Sequence, residues 1–215
     1  MNKGEVTVKL GDSVRFGNYS WRVLDVQDGK ALIISKNVLE KKAYHIEHCD
    51  VTWETCTLRQ YLNGSFCDRF DTEDKARIAE VKLANNPIPW FGTSGGNDTL
   101  DKVFLLSGEE VVRYFGDSGR LENPDKDWRF VDGRVVHKDE CDSENIVIGF
   151  IDDQYNIERM AVGFGGEHSY WWLRSSVERG CTVIVGEDGR IDPLCVEHFV
   201  DDEDGGVRPA LWLIL

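Results

Sequence analysis

The run Val207-Arg208-Pro209-Ala210-Leu211-Trp212-Leu213-Ile214-Leu215 constrains this chain most. An apolar strand at a terminus usually means that the end is tied into a sheet. The fold is therefore expected to need its last residues, and truncation there to unfold it.

Sheet-forming sequence also opens the chain. Val14-Arg15-Phe16 leads through Gly17-Asn18 into Tyr19 to Val26, and Asp28-Gly29 turns the chain back into Ala31-Leu32-Ile33-Ile34-Ser35. Both turn positions tolerate positive φ, so a β-meander is expected. Helix signals follow. Thr52 can cap a helix carrying Leu58, Tyr61, Leu62 and Phe66 at helical spacing, with Asn63-Gly64 as its stop. A second helix fits Asp71 to Val81, capped by Asp71 or Thr72. Ser107-Gly108-Glu109-Glu110 is a capping box opening a third, from Glu109 to about Phe115. Asn85 to Asp98 reads as a long loop, Lys102 to Leu106 as a short strand, and residues 116 to 145 as irregular. Tyr170-Trp171-Trp172-Leu173-Arg174 is strand-like, and Glu187-Asp188-Gly189 joins Cys181-Thr182-Val183-Ile184-Val185 to Arg190-Ile191-Asp192 as a hairpin. Strands at both ends with helices between them predict an α+β fold, taken as one domain over residues 1–215.

Composition narrows the partners. Thirty-nine acidic against 25 basic residues leave a net charge of −14. A nucleic-acid binder needs a basic footprint, and an anionic membrane surface repels a chain this acidic, so neither partner is expected. The polar start, Met1-Asn2-Lys3-Gly4, precedes no apolar segment. As written the chain reads as cytoplasmic, or as secreted or surface-displayed if a signal has been removed. Six cysteines without a CxxC pair are expected as reduced thiols.

Several segments taken in order resemble an uncharacterised bacterial family, the domain of unknown function 6273, from about residue 11 to 215. They are Trp21-Arg22-Val23-Leu24-Asp25, Ala31 to Lys36, and Thr52-Trp53-Glu54 with Leu58 to Asn63 and Phe66. Asp101 to Ser107 with Glu110 and Tyr114-Phe115 follows, then Trp171-Trp172-Leu173-Arg174-Ser175 and Gly206 to Leu211. Asn123 to Gly166 departs from the family pattern, and Ser176 stands where the family usually has proline. More distantly, the chain is similar to the C-type lectin-like fold of sulfatase-modifying enzymes and of the variable proteins of diversity-generating retroelements. That similarity implies small twisted antiparallel sheets with two to three helices, and long loops presenting a ligand surface.

Arg174 and Arg208 lie within apolar strands, where a guanidinium must be paired to be tolerated, so both are expected to be structural, with Trp171 and Trp172 beside them. His45-Ile46-Glu47-His48-Cys49 lacks a second ligand pair for zinc and reads as a surface turn. Asp201-Asp202-Glu203-Asp204 can in principle hold Ca²⁺ through Asp201, Asp202 and Asp204, although a solvated loop is the default. No nucleophile elbow, phosphate-loop lysine or closely spaced cysteine pair is present, so no catalytic residue, metal site or cofactor is expected. Aromatic residues near turns, at Trp90-Phe91, Trp128-Arg129-Phe130 and His168-Ser169-Tyr170, suit a binding surface.

The expected work is therefore non-catalytic recognition of a protein or glycan, through the middle loop and the loops between Trp171 and Arg208. The residues expected to touch the ligand are Trp128, His168, Tyr170, Glu178, Arg179, Asp192, Glu197 and His198. The resemblance leaves two alternatives: an enzyme of the formylglycine-generating type, or one using Cys181 and His198, and a structural subunit of a phage or cell-surface assembly.

Overall fold

The computed structural model describes residues 8–86, 94–122, 128–131, 134–137, 147–148, 150–163, 165–177, 180–192 and 198–215. The chain opens as the meander its turns predict. β1 (Ser13–Phe16), β2 (Tyr19–Gln27) and β3 (Lys30–Ser35) pair antiparallel. Asp28 and Gly29 take φ of +50° and +70°, as the tight turn requires. Leu24 is an extra residue in β2 between Val23 and Asp25. This bulge buries Val23 and Leu24 in succession.

β4 (Glu40–Lys41) follows, and then the helices depart from their sequence signals. Thr52 caps no helix. Its carbonyl accepts from Thr55 and Cys56 in a turn that buries Trp53 completely, with Nε1 donating to Asp101 at 3.0 Å. α1 (Thr57–Tyr61) starts after it, capped by the Cys56 sulfur. Asn63-Gly64 breaks the helix as its residues predict: Gly64 leaves helical geometry (φ −108°, ψ −109°), and the chain resumes after this kink within Leu62–Phe66 and passes into a 3₁₀ turn (Cys67–Arg69). The cause is the Asn63 amide, which donates to the Val103 carbonyl and accepts from Lys102 N–H across the gap.

α2 (Thr72–Arg77) is capped by Asp71 but ends four residues before Val81. Its expected last turn is extended instead, as β5 (Ile78–Ala79) and β6 (Val81–Leu83). Pairing with the terminal strand outweighs a thin apolar stripe. β7 (Thr99–Asp101) pairs with β6, and β8 (Val103–Phe104) leads to α3 (Gly108–Phe115). The capping box of α3 is present in both directions, between Ser107 and Glu110. The stretch expected to be irregular, residues 116 to 145, contains β9 (Trp128–Val131) and β10 (Arg134–His137), which form a three-stranded antiparallel sheet with β11 (Val147–Ile148) just beyond it. α4 (Asn156–Arg159) then precedes β12 (Trp171–Val177), β13 (Cys181–Val185), β14 (Ile191–Asp192), β15 (Gly206–Val207) and β16 (Ala210–Ile214). The described residues thus hold four short α-helices, where two to three were expected.

The terminal strand lies in the middle of the main sheet. One edge of β16 pairs with β3 along its whole length; the other is shared by β8 and β5. A second sheet runs β14-β13-β12-β15-β4, with β12 and β13 buried on both faces. Its one parallel contact among the described residues joins Trp171 to Gly206. One contiguous cluster of buried apolar side chains, from Phe16 to Leu213, fills the space between these layers.

Two buried arginines stitch the layers together. Arg208, 3 % exposed, donates to the carbonyls of Ser35 (3.1 Å), Lys36 (3.4 Å) and Arg159 (3.0 Å). Its guanidinium lies 4.8 Å from the Trp171 ring centroid. Burial, and then the Arg22 charge, lower its pKa to about 9, which still leaves it charged at neutral pH. Arg174 pairs with both Glu110 oxygens and donates to the Leu105 carbonyl. Glu110 therefore caps α3 and neutralises a buried charge on β12 at once.

Replacing Arg208 with Ala removes a donor from each of three buried carbonyls and should lower unfolding free energy by about 3 kcal/mol in urea titration. Glu110→Ala leaves Arg174 buried without a counter-ion and should cost about 3–5 kcal/mol, whereas Ser107→Ala should cost only ~1 kcal/mol. Equal losses for Glu110→Ala and Ser107→Ala would show that the capping bond alone matters.

Candidate functional site

The segment from Lys41 to Asp50 runs beside the segment from His198 to Gly205. Lys42 N–H donates to the Gly205 carbonyl (2.8 Å) and His45 N–H to the Val200 carbonyl (2.8 Å). Val200 N–H reaches the Gly180 carbonyl (2.9 Å), and Gly180 N–H reaches the Asp50 carboxylate (2.8 Å). Three stretches far apart in sequence thus form one face. Its base is anchored where Trp172 Nε1 donates to the Lys42 carbonyl at 2.8 Å. Gly205 allows this packing, since a Cβ there would lie 2.0 Å from the Trp172 ring.

On this face the His48 ring meets Phe199 edge to face at 4.8 Å, and its Nδ1 lies 3.1 Å from Asp201. Phe199 stays 42 % exposed and Ile46 73 % exposed. Glu203 and Ile46 also line a shallow pocket with Lys41, Lys42, Thr57 and Tyr61. Exposed apolar side chains thus stand beside carboxylates and lysines along these two segments.

Behind this face sits a polar triad. Tyr170 stacks on His198 with ring centroids 3.8 Å apart, and its hydroxyl donates to Asp202 at 2.7 Å. His198 Nδ1 lies 3.2 Å from the same carboxylate oxygen. The other Asp202 oxygen accepts from the Asp204 backbone. Burial pushes the Asp202 carboxyl up, but the Asp204 N–H, the Tyr170 hydroxyl and His198 together outweigh it, and its pKa lies below the usual value.

The residues expected to touch a ligand separate in space. Tyr170 and His198 are in contact, but Tyr170 is buried because its ring packs on both His198 and Trp172. It supports the face and does not form its surface. His168 is exposed, on a small hairpin bridged to Val162, and Asp192 is half-buried in β14. Trp128 opens β9, where a turn-bordering position was expected. Glu178, Arg179 and Glu197 lie outside the described residues, as do Trp90, Phe91, Cys141 and Cys195. Trp171 and Trp172 are fully buried, beside the two structural arginines.

The acidic loop does not converge. Asp201 goes to His48, Asp202 to Tyr170 and His198, and Asp204 to Lys41. Among the described residues no three His, Cys, Asp or Glu side chains gather as metal ligands would, and His45 Nδ1 accepts from the Thr57 backbone instead. Among the described cysteines Cys49 is exposed, while Cys56, Cys67 and Cys181 are buried. Burial pushes the Cys56 thiol up to about 12 and raises that of Cys67, which suppresses the thiolate a nucleophile needs. No helix of the described residues is long and apolar enough to cross a membrane.

Ile46 and Phe199 were missed at the sequence level. Each is a large apolar residue next to titratable positions, Ile46 between His45 and Glu47 and Phe199 after His198, which is the signal that could have found them.

Because Asp202 has a depressed folded pKa, its stabilisation is present above the unfolded aspartate value near 3.9 and is lost as pH falls through the folded value. Asp202→Asn should therefore destabilise the protein at pH 7 and show a shallower loss between about pH 4 and pH 2 in acid titrations. Parallel acid limbs for the two proteins would exclude this linkage.

No curated protein and no solved structure matches the chain. A family model covers residues 28–215, nearly all of the sequence and all the elements from β3 to β16. The chain therefore belongs to the family of the domain of unknown function 6273.

Proposed function

We propose that this chain is a non-catalytic recognition domain of C-type lectin-like fold, which binds a protein through the face formed by residues 45–50 and 198–204. The supporting observation is the pair of exposed apolar side chains, Ile46 and Phe199, held among carboxylates on one rigidly backed surface. Partners of this kind dock by burying such anchors while a polar rim excludes water. The rim carries Glu47, Asp50, Asp201, Glu203 and Asp204, which favours a partner with basic residues around an apolar centre. A glycan is the less fitting ligand, because sugars stack on open ring faces and the Tyr170 ring is covered by His198.

The small antiparallel sheets, few helices and central terminal strand suit the lectin-like reading of the fold. The buried thiols and dispersed carboxylates give no support to the enzyme reading.

The test is capture from the native cell lysate by immobilised protein, with Leu100→Ser as a control at an exposed apolar residue on β7. The wild type should retain a partner, and Phe199→Ser or Ile46→Ser should weaken its binding about tenfold, the effect of losing ~1.4 kcal/mol. Leu100→Ser should bind like wild type. If both face variants capture the partner normally, the proposal fails. If they abolish binding on a glycan array instead, the ligand is a sugar.

A further inference from the structure

A second concavity lies on another part of the molecule, between β6, α3 and the exposed side of β16. It encloses ≈ 280 Å³, at the lower limit of small-molecule sites and enough for a compact ligand only. We propose that this cleft binds a small organic anion, a carboxylate carried on an aromatic or similarly flat apolar body.

The charge of the lining is the first argument. In a chain of net charge −14, this cleft carries three cations, Lys82, Arg113 and Arg174, against two carboxylates, Glu109 and Glu110. Most of these charges are already engaged. Glu110 is consumed by Arg174 and by the cap of α3. Lys82 pairs with Asp98 at 2.9 Å, and Glu109 accepts from Asn86. Arg113 is left over. Exposed on α3, it has no carboxylate partner among the described residues, and its guanidinium lies 5.3 Å from the Tyr114 ring centroid. A guanidinium matches a carboxylate in shape as well as charge.

The floor supplies the second argument. Arg174 lines it at 4 % exposure, and its Nε–H has no acceptor. A buried, unsatisfied donor on a cation is costly, and a bound anion or its water would relieve that cost. The walls supply the third. Tyr114 and Trp212 present ring surface beside the cations, with the buried Phe104 ring beneath them, and Leu32 and Leu83 close the apolar side. A flat apolar body fits there, with its acid group toward Arg113.

The experiment is a titration of the whole protein with benzoate and with its neutral analogue benzamide, followed by NMR of the tryptophan indole N–H signals. The Trp212 signal is assigned with Trp212→Phe. Benzoate should shift the Trp212 signal and bind about tenfold more tightly than benzamide, since an unscreened charge contact contributes on that scale. Arg113→Gln, which breaks no ion pair, should keep the wild-type melting temperature and reduce benzoate to the level of benzamide. Phe199→Ser should leave benzoate binding unchanged, which separates this cleft from the recognition face. Equal binding of the two probes, a silent Trp212 signal, or full benzoate affinity in Arg113→Gln would each overturn the proposal.

Discussion

The architecture turns on a charge that has no counter-ion among the described residues. Arg208 is fully enclosed, and three backbone carbonyls and the faces of Trp171 and Phe115 surround it where a carboxylate would be expected. Arginine is the residue that can do this, because its charge is spread over a planar group with five donors and weak hydration. Each carbonyl comes from a different place: the end of β3, the residue after it, and the end of α4. The Arg159 carbonyl also accepts from Trp171 Nε1 at 3.1 Å. A single side chain thus sets how the main sheet, the second sheet and α4 meet, and it follows directly on β15. Arg159 is itself buried against Asp153, so a second ion pair closes the same region.

What could be read from the residues follows from how local each cause is. The Asp28-Gly29 turn, the Ser107–Glu110 capping box and the β13–β14 hairpin are decided within a few positions, and each lies where its residues indicate. The start of α1 was misplaced because Trp53 is drawn into the core by Asp101, 48 positions away. The end of α2 was misplaced because Ile78 and Ala79 pair with β16, whose presence nothing near them signals. Residues 116 to 145 look charged and irregular, yet β9 and β10 lie within them, and their pairing with each other and with β11 is not legible from composition.

The same division holds for the sites. His198 was singled out by its chemistry, and the structure puts it beside Tyr170 and Asp202. The proposed surface takes Ile46 and Phe199, which lie on segments joined only because residues 42–45 run along residues 200–205. The cleft at Arg113 draws on β3, β6, β8, α3, β12 and β16, so no single stretch of sequence announces it.

The middle position of β16 also bears on how quickly the protein can fold. Ser35 and Arg208 are bonded across 173 positions, and β3 has no partner on one side until the far end of the chain arrives. Closing a loop of that length adds little to the entropic cost beyond that of a shorter one, because the cost grows only with the logarithm of length. The rate suffers more, since distant pairings raise contact order and slow the search for the native arrangement. Until that search ends, β3 offers an unpaired apolar edge to any other strand, and the risk of aggregation is concentrated in this interval before β16 inserts.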